Sequence, residues 1–418
     1  MIFYRFLRYN GIMKSIIIFI VILFVGMTVY GQDMSYFTSE YMRSDGTFAE
    51  RLAVLEAVRS AEITDIGEFY HEALKFLLIR APDIRNNAEQ LDAERAALIL
   101  CQELGAAKYS PAALELWQTA VLFDVSGNAN EGNTMRAALI ALGQVDGKAF
   151  LPHIVQRLND LNNNIVKNPV QRSRNQMAVI GCINALEALS DISGYRPVFF
   201  ASIGPYDPAV KDIALRALPN IVDDPSEVII NIIQNIDNDP QVKLAVWRET
   251  FRTKMPDSSK AKVAAAALET GWMYQTQNRN FQTQLREMRK SAIDTIRQVG
   301  VADDSVYANL EKSYNNNFAT SSPDYDEIMI TLNALTAISS EQSVELIHKF
   351  LREINHRRRS GPWGNKERRV FEWLVSCIGK TGTRSVEVRL LLTTIQRNSV
   401  YTPAEQNMAA NALKALGY

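Results

Sequence analysis

The residue types that most often carry catalysis or bind metals are few in this sequence and widely spaced. The histidines are at positions 71, 153, 348 and 356, and the cysteines are at 101, 182 and 377. A metal site needs several such ligands at close spacing, and His71-Glu72 is a lone pair. No G-x-S-x-G, P-loop or G-x-G-x-x-G motif occurs. We therefore predict a protein that is not an enzyme, with no catalytic residue, metal or cofactor. An enzyme with a site dispersed over distant segments is the alternative.

One segment concentrates positive charge. Residues 355–369 read NHRRRSGPWGNKERR, in which six cations accompany one anion, Glu367, around a Gly-Pro-Trp-Gly turn. Several like charges cannot be buried without partners, so we expect a solvent-facing loop inserted between two helices. Loops on a rigid scaffold often bind partners, and Trp and Arg are enriched at binding hot spots. The candidate partner-binding residues are Arg357, Arg358, Arg359, Trp363, Lys366, Arg368 and Arg369.

Two interpretations of this basic segment remain open. In the first, it docks an acidic protein surface or anionic headgroups, and Trp363 is the anchor that loses its water. In the second, the segment only connects two helices, and Trp363 packs against its own repeat.

The overall composition adds no electrostatic preference. The 418 residues carry a formal net charge of -1, with 47% hydrophobic and 22% charged residues. These proportions are typical of a folded globular chain. A nearly neutral protein has no general attraction to nucleic acid or to anionic membranes. We therefore expect no nucleic-acid partner and, at most, peripheral membrane contact.

The N-terminus has the pattern of an export signal. Lys14 precedes an apolar run from Ile16 to Val25, which is shorter than the about 20 residues of a membrane span. Val29 and Gly31 occupy the small-residue positions of a cleavage site. We expect a signal peptide at residues 1–31, with Met13 as an alternative start, then a linker at 32–45. This predicts a protein of the periplasm or cell envelope; an uncleaved membrane anchor is the alternative.

The elements that would position these residues follow a repeat. The motif apolar-x-small-apolar, as in LIAL at Leu139 and LKAL at Leu413, recurs with a mean spacing of about 40 residues, which is typical of two-helix repeats. Between these motifs lie segments with apolar residues at three- and four-residue spacing, which predict a second helix in each repeat. These segments are 69–79, 112–123, 150–158, 227–236, 305–314, 343–351 and 386–395. The motif begins at Leu55, Cys101, Leu139, Leu186, Leu215, Trp247, Ile293, Leu335, Val375 and Leu413.

Two segments carry a more specific pattern. Residues 207–211 read DPAVK and are followed by an Ala/Leu pattern through Leu215, which we expect in the buried layer between repeats; residues 239–243 read DPQVK. This pattern resembles the HEAT-repeat family, which is related to armadillo repeats. The resemblance implies an all-α fold, a right-handed α-solenoid of about ten stacked helix pairs over residues 46–418. It also places Lys211 and Lys243 near a concave, partner-binding surface, although both could instead support the turns between repeats.

These observations together predict a non-catalytic protein–protein interaction scaffold. Its partner would be another envelope or exported protein with an acidic surface, bound by the concave helix face and the basic segment. The alternative is a carrier that holds a lipid or a peptide in its groove. Because the three cysteines lie in well-separated repeats, we expect no intramolecular disulfide.

Overall fold

The computed structural model describes residues 34–61, 66–125, 132–274, 277–320, 322–361 and 363–418. The expected signal peptide and its cleavage site therefore lie outside the described residues. The chain divides into two compact units, Met1–Val222 and Asp223–Tyr418. The described residues form 20 α-helices and no strand, so the prediction of an all-α chain is confirmed.

The described part of the first unit contains ten helices. They are α1 (Met34–Tyr41), α2 (Phe48–Ser60), α3 (Gly67–Arg80), α4 (Asn87–Ala106), α5 (Ala113–Val125), α6 (Asn133–Gln144), α7 (Leu151–Asn163), α8 (Pro169–Leu189), α9 (Tyr195–Ile203) and α10 (Pro208–Ile221).

The described part of the second unit contains ten more. They are α11 (Ser226–Gln234), α12 (Pro240–Glu249), α13 (Asp257–Met273), α14 (Arg279–Val299), α15 (Asp304–Ala319), α16 (Tyr325–Ile338), α17 (Glu341–Ser360), α18 (Asn365–Thr381), α19 (Val386–Arg397) and α20 (Pro403–Ala415).

Packing follows the order of the helices within each unit. Each odd-numbered helix packs against the even-numbered helix that follows it. The even-numbered helices also pack against one another in succession, from α2 to α10 in the first unit and from α12 to α20 in the second. All ten positions of the apolar-x-small-apolar motif fall in even-numbered helices, one in each. This arrangement is compatible with a helical-repeat solenoid.

Small residues let successive even-numbered helices approach closely. A Cβ atom added to Gly143 of α6 would lie 2.8 Å from the Cα of Ala185 in α8. One added to Gly105 of α4 would lie 3.1 Å from the Cα of Ala141 in α6. Fully buried leucines, such as Leu139, fill the layer beside these contacts. The backbone spacing in this stack therefore depends on the absence of a side chain at these glycines.

In α10 the buried layer differs from the expectation. Leu215 is only half-buried, whereas Ala214 and Leu218 are fully buried. The buried positions of α10 follow three- and four-residue spacing, so the core-facing stripe passes to one side of Leu215; these positions are Val210, Ala214, Ala217, Leu218 and Ile221.

The first described residues also differ from the expectation of a linker at 32–45. Residues 34–41 form α1, in which Phe37 and Tyr41 are buried. Nε of Arg51 donates a hydrogen bond to the Tyr41 carbonyl at 2.9 Å, and the ring centroids of Tyr41 and Phe69 are 6.1 Å apart. The helix is therefore tied to α2 and α3 by buried contacts.

Candidate binding sites

The basic segment is mostly helical, and the expectation of a loop across 355–369 was wrong. Helix α17 continues to Ser360, because Ile354 and Asn355 extend its buried face, while Arg357 and Arg359 after them are exposed. Helix α18 begins at Asn365. Three arginines in the last turn of α17 also suit the negative end of the helix dipole. Four residues therefore separate the two helices. We call the six cations on either side of this connection the cationic turn.

The cations of this turn fall into two groups. The first group faces the end of α15 and the start of α16. Nζ of Lys366 donates hydrogen bonds to the carbonyls of Phe318 at 2.9 Å and Thr320 at 3.3 Å. The guanidinium of Arg357 lies over the Phe318 ring, 4.8 Å from its centroid. The guanidinium of Arg369 lies over Tyr325 at 4.9 Å and over Trp373 at 5.2 Å. We call Arg357, Lys366 and Arg369 the first cationic group.

The second group faces the turn between α19 and α20. Nη2 of Arg358 donates to the Val400 carbonyl at 2.5 Å, and its guanidinium lies over the Trp363 ring at 5.1 Å. Nε of Arg368 lies 3.8 Å from a carboxylate oxygen of the buried Glu405. Arg358 and Arg368 therefore connect α17 and α18 to the segment around Val400 and to α20.

Trp363 packs against its own helix pair, as in the second sequence-based interpretation, and also against a residue beyond that pair. Its ring centroid lies 4.9 Å from that of Phe371 and 5.9 Å from that of Tyr401, and the side chain is half-buried. Its indole N–H is buried without a hydrogen-bond partner in the described part of the chain. The ring therefore belongs to an aromatic cluster with Phe371 and Tyr401 and is only partly exposed.

Three arginines of the turn remain exposed without a carboxylate partner. Arg357, Arg359 and Arg369 are exposed, and no described carboxylate lies within salt-bridge distance of any of them. Two of the three are nevertheless held against aromatic rings. A guanidinium stacked on a ring keeps its N–H edge available for bidentate bonding to a carboxylate.

The two lysines of the DPxVK segments, expected either near a concave binding face or in support of the turns between repeats, differ in burial. Lys243 is 1% exposed, and its Nζ donates to the carbonyls of Ile233, at 2.6 Å, and of Asn235, at the end of α11. Burial lowers the pKa of this ammonium group. Lys243 therefore caps a helix C-terminus and supports the turn, which is the second of the two roles considered for it, and it is not available on an exposed face. Lys211 is half-buried.

A groove in the first unit was not predicted from the sequence. It lies between α5, α7 and the start of α8 and has a volume of about 640 Å³. Its polar lining contains two arginines, two aspartates and four amide side chains, with Trp117 and His153 at one side. Arg157 forms a salt bridge with Asp124, with Nη2 and Oδ1 2.5 Å apart. The only sequence signal for this groove is the density of Asn and Gln in residues 162–176.

The three cysteines are internal. Cys101, Cys182 and Cys377 are free and buried, and burial raises the pKa of the Cys182 thiol to about 12. Across the described ranges, no three His, Cys, Asp or Glu side chains are grouped so that they could hold a metal ion. Within the same ranges, no helix is both long enough and apolar enough to span a bilayer.

Comparison with known proteins adds no family assignment. No protein-family model matches the chain, and no curated protein matches it.

Proposed function

We propose that this protein is a non-catalytic interaction scaffold built as a right-handed, HEAT-like α-solenoid of about ten helix pairs. The proposal is supported by the ten motif positions, each in a different even-numbered helix, and by the succession of even-numbered helices in each unit. In such arrays each pair needs its neighbours to bury its apolar faces, and the resulting extended surface serves binding. The export pattern of residues 1–31 supports a location in the periplasm or cell envelope.

The turn between α17 and α18 is the docking surface that we propose. Its ligand is an acidic segment of a partner protein. The observation that carries this proposal is that Arg357, Arg359 and Arg369 are exposed and have no carboxylate partner in the described part of the chain. The remaining cations of the turn bind backbone carbonyls or Glu405. Exposed arginines without carboxylate partners attract a partner that brings several carboxylates at once.

The aromatic contacts add a second physical reason. Arg357 over Phe318 and Arg369 over Tyr325 and Trp373 have already lost part of their side-chain freedom. Binding a carboxylate to such a side chain costs less conformational entropy than binding it to a freely rotating one. The turn is therefore pre-organised for anions.

The test uses residues 32–418 and a fluorescein-labelled, glutamate-rich peptide. Its dissociation constant is measured by fluorescence anisotropy at about 50 mM and about 300 mM NaCl, because salt screens exposed charges. The Arg357→Ala/Arg359→Ala/Arg369→Ala variant is expected to bind about tenfold more weakly at low salt, with a smaller loss of affinity between the two salt concentrations.

The matched control removes the same charge elsewhere. Arg85, Arg216 and Arg248 are exposed and lie outside the turn. The Arg85→Ala/Arg216→Ala/Arg248→Ala variant is expected to bind the peptide nearly as well as the parent. Equal weakening in both triple variants would show a general charge effect and would reject the turn as the docking surface.

A further inference from the structure

The groove between α5, α7 and α8 is balanced in charge. Its lining contributes Arg157 and Arg174 as cations, and Asp124 and Asp160 as anions. Arg157 and Asp124 neutralise one another directly through their 2.5 Å salt bridge. A charged ligand would therefore gain little from the field of the groove, because each attraction is offset by a nearby repulsion. The charges favour a ligand that is polar and neutral.

The amide side chains of the groove are ordered by their neighbours. Nε2 of Gln156 donates to Oδ1 of Asp160 at 2.8 Å, and Nε2 of Gln171 donates to Oδ1 of Asn175 at 3.0 Å. Nδ2 of Asn164 donates to the Asp160 carbonyl at 3.0 Å. In Gln156, Asn164 and Gln171 the amide nitrogen makes the bond, and the amide oxygen has no partner in the described part of the chain. In Asn175 the oxygen accepts the bond, and the amide nitrogen has no such partner. The groove therefore presents both hydrogen-bond donors and acceptors, and each of these local bonds favours one orientation of its amide.

An aromatic side chain lines the same groove. The rings of Trp117 and Phe150 are stacked, with centroids 5.9 Å apart and planes 22° apart, and His153 lies 5.4 Å from Trp117. Phe150 thus supports the indole and restricts its movement. The negative face of an aromatic ring attracts weakly positive C–H groups. Sugars combine hydroxyl groups, which exchange hydrogen bonds with amides, with C–H groups that can pack against an aromatic ring.

We propose that this groove binds a neutral oligosaccharide, with the amides on its hydroxyl groups and Trp117 against a sugar ring. Its volume of about 640 Å³ lies inside the range of roughly 300 to 1,000 Å³ that is usual for small-ligand sites. A peptide fits the lining less well, because peptide grooves supply apolar pockets for side chains. Leu161 and Val166 are the aliphatic side chains in this lining.

The test measures binding of three neutral trisaccharides to residues 32–418 by isothermal titration calorimetry: maltotriose, cellotriose and triacetylchitotriose. At least one is expected to bind. The Gln156→Ala/Gln171→Ala variant should weaken that binding about tenfold, because two hydrogen bonds are lost. Both side chains are exposed, so the melting temperature should remain that of the parent. The matched control, Gln102→Ala/Gln241→Ala, removes two exposed glutamines outside the groove and should bind like the parent.

Three results would overturn the proposal. One is the absence of binding by all three sugars at about 10 mM. Another is unchanged sugar binding by the Gln156→Ala/Gln171→Ala variant. The third is that a neutral peptide, an acetylated and amidated Gly-Ala nonamer, binds the groove in place of the sugars. The inference is independent of the cationic turn, since the Arg357→Ala/Arg359→Ala/Arg369→Ala variant should bind the trisaccharide as the parent does.

Discussion

At the scale of single residues, a buried ion pair joins the helices of the second unit. Arg289 of α14 makes a bidentate bond to Glu327 of α16, with Nε–Oε1 2.9 Å and Nη2–Oε2 3.0 Å. Its Nη1 donates to the Gly271 carbonyl at 3.0 Å, and its guanidinium lies 4.0 Å from the centroid of Trp272. Glu327 is 0% exposed, so Arg289 is its main compensation for lost hydration.

Replacing Arg289 should therefore be costly. Arg289→Met would leave the Glu327 carboxylate buried without its cation, and we expect the free energy of unfolding to fall by about 3 to 5 kcal/mol. Urea denaturation measures this change. The double variant Arg289→Met/Glu327→Gln should recover much of the loss, because it no longer buries a charge. A single variant as stable as the parent would contradict the role given to the pair.

Lys243 shows what a motif can and cannot predict. The DPQVK pattern correctly indicates the start of a helix, since Asp239 accepts hydrogen bonds from the backbone N–H groups of Gln241 and Val242. It does not indicate where the lysine side chain lies. That depends on the end of α11, whose carbonyls draw the ammonium group inward. A lysine that the sequence predicts to be exposed can be buried when the free carbonyls at a helix C-terminus accept hydrogen bonds from its ammonium group.

At the scale of elements, the close approach of α6 and α8 depends on Gly143. A methyl group at this position would meet the backbone of α8 at Ala185. Gly143→Ala should lower the free energy of unfolding by about 1 kcal/mol or more, because the cost of overpacking exceeds the gain in helix propensity. Thermal unfolding followed by circular dichroism measures the change.

Gly361→Ala is the control for this substitution. Apart from its two chain neighbours, no described residue has an atom within 4 Å of where a methyl group at Gly361 would lie, and the backbone at Gly361 is extended. The control should unfold at nearly the parent temperature. Equal loss in both variants would mean that helix spacing is not what makes Gly143 necessary.

Helix positions could be predicted from the sequence better than helix ends. Apolar spacing placed a helix at 343–351, inside α17. The predicted segment stops nine residues before the end of α17, because a dense run of arginines is typical of a solvated loop. The run is helical because its buried face continues through Ile354 and Asn355. Charge density alone does not end a helix when a few positions still contact the core.

At the scale of the whole molecule, damage to the core should remain local. Leu218 of α10 is fully buried, so Leu218→Ala should cost about 2 to 5 kcal/mol in local stability. Hydrogen exchange should become faster in α8, α9 and α10, while α18 to α20 keep the parent rates, because repeat arrays couple mainly nearest neighbours. Leu215→Ala, at a half-buried position, should have a smaller effect. Faster exchange throughout both units would contradict nearest-neighbour coupling.

The candidate sites differ in how far the sequence could predict them. The cationic turn is contiguous in the chain, so its composition was visible, but the division of its cations between two neighbouring turns was not. That division depends on the distance from Lys366 to Phe318 and from Arg358 to Val400, across more than 40 residues of sequence in each case. The groove draws on three helices and becomes recognisable only when they are packed together.

The order of helix contacts has a consequence for how the chain acquires its structure. In each unit the main contacts of every helix are with helices one or two positions away in the sequence. Such a topology has low contact order, and the entropy lost in closing each loop is small. Three consecutive helices therefore include both kinds of main contact, between adjacent helices and between helices two positions apart. Folding can therefore start at the N-terminal helices during synthesis and extend towards the C-terminus as each new helix emerges.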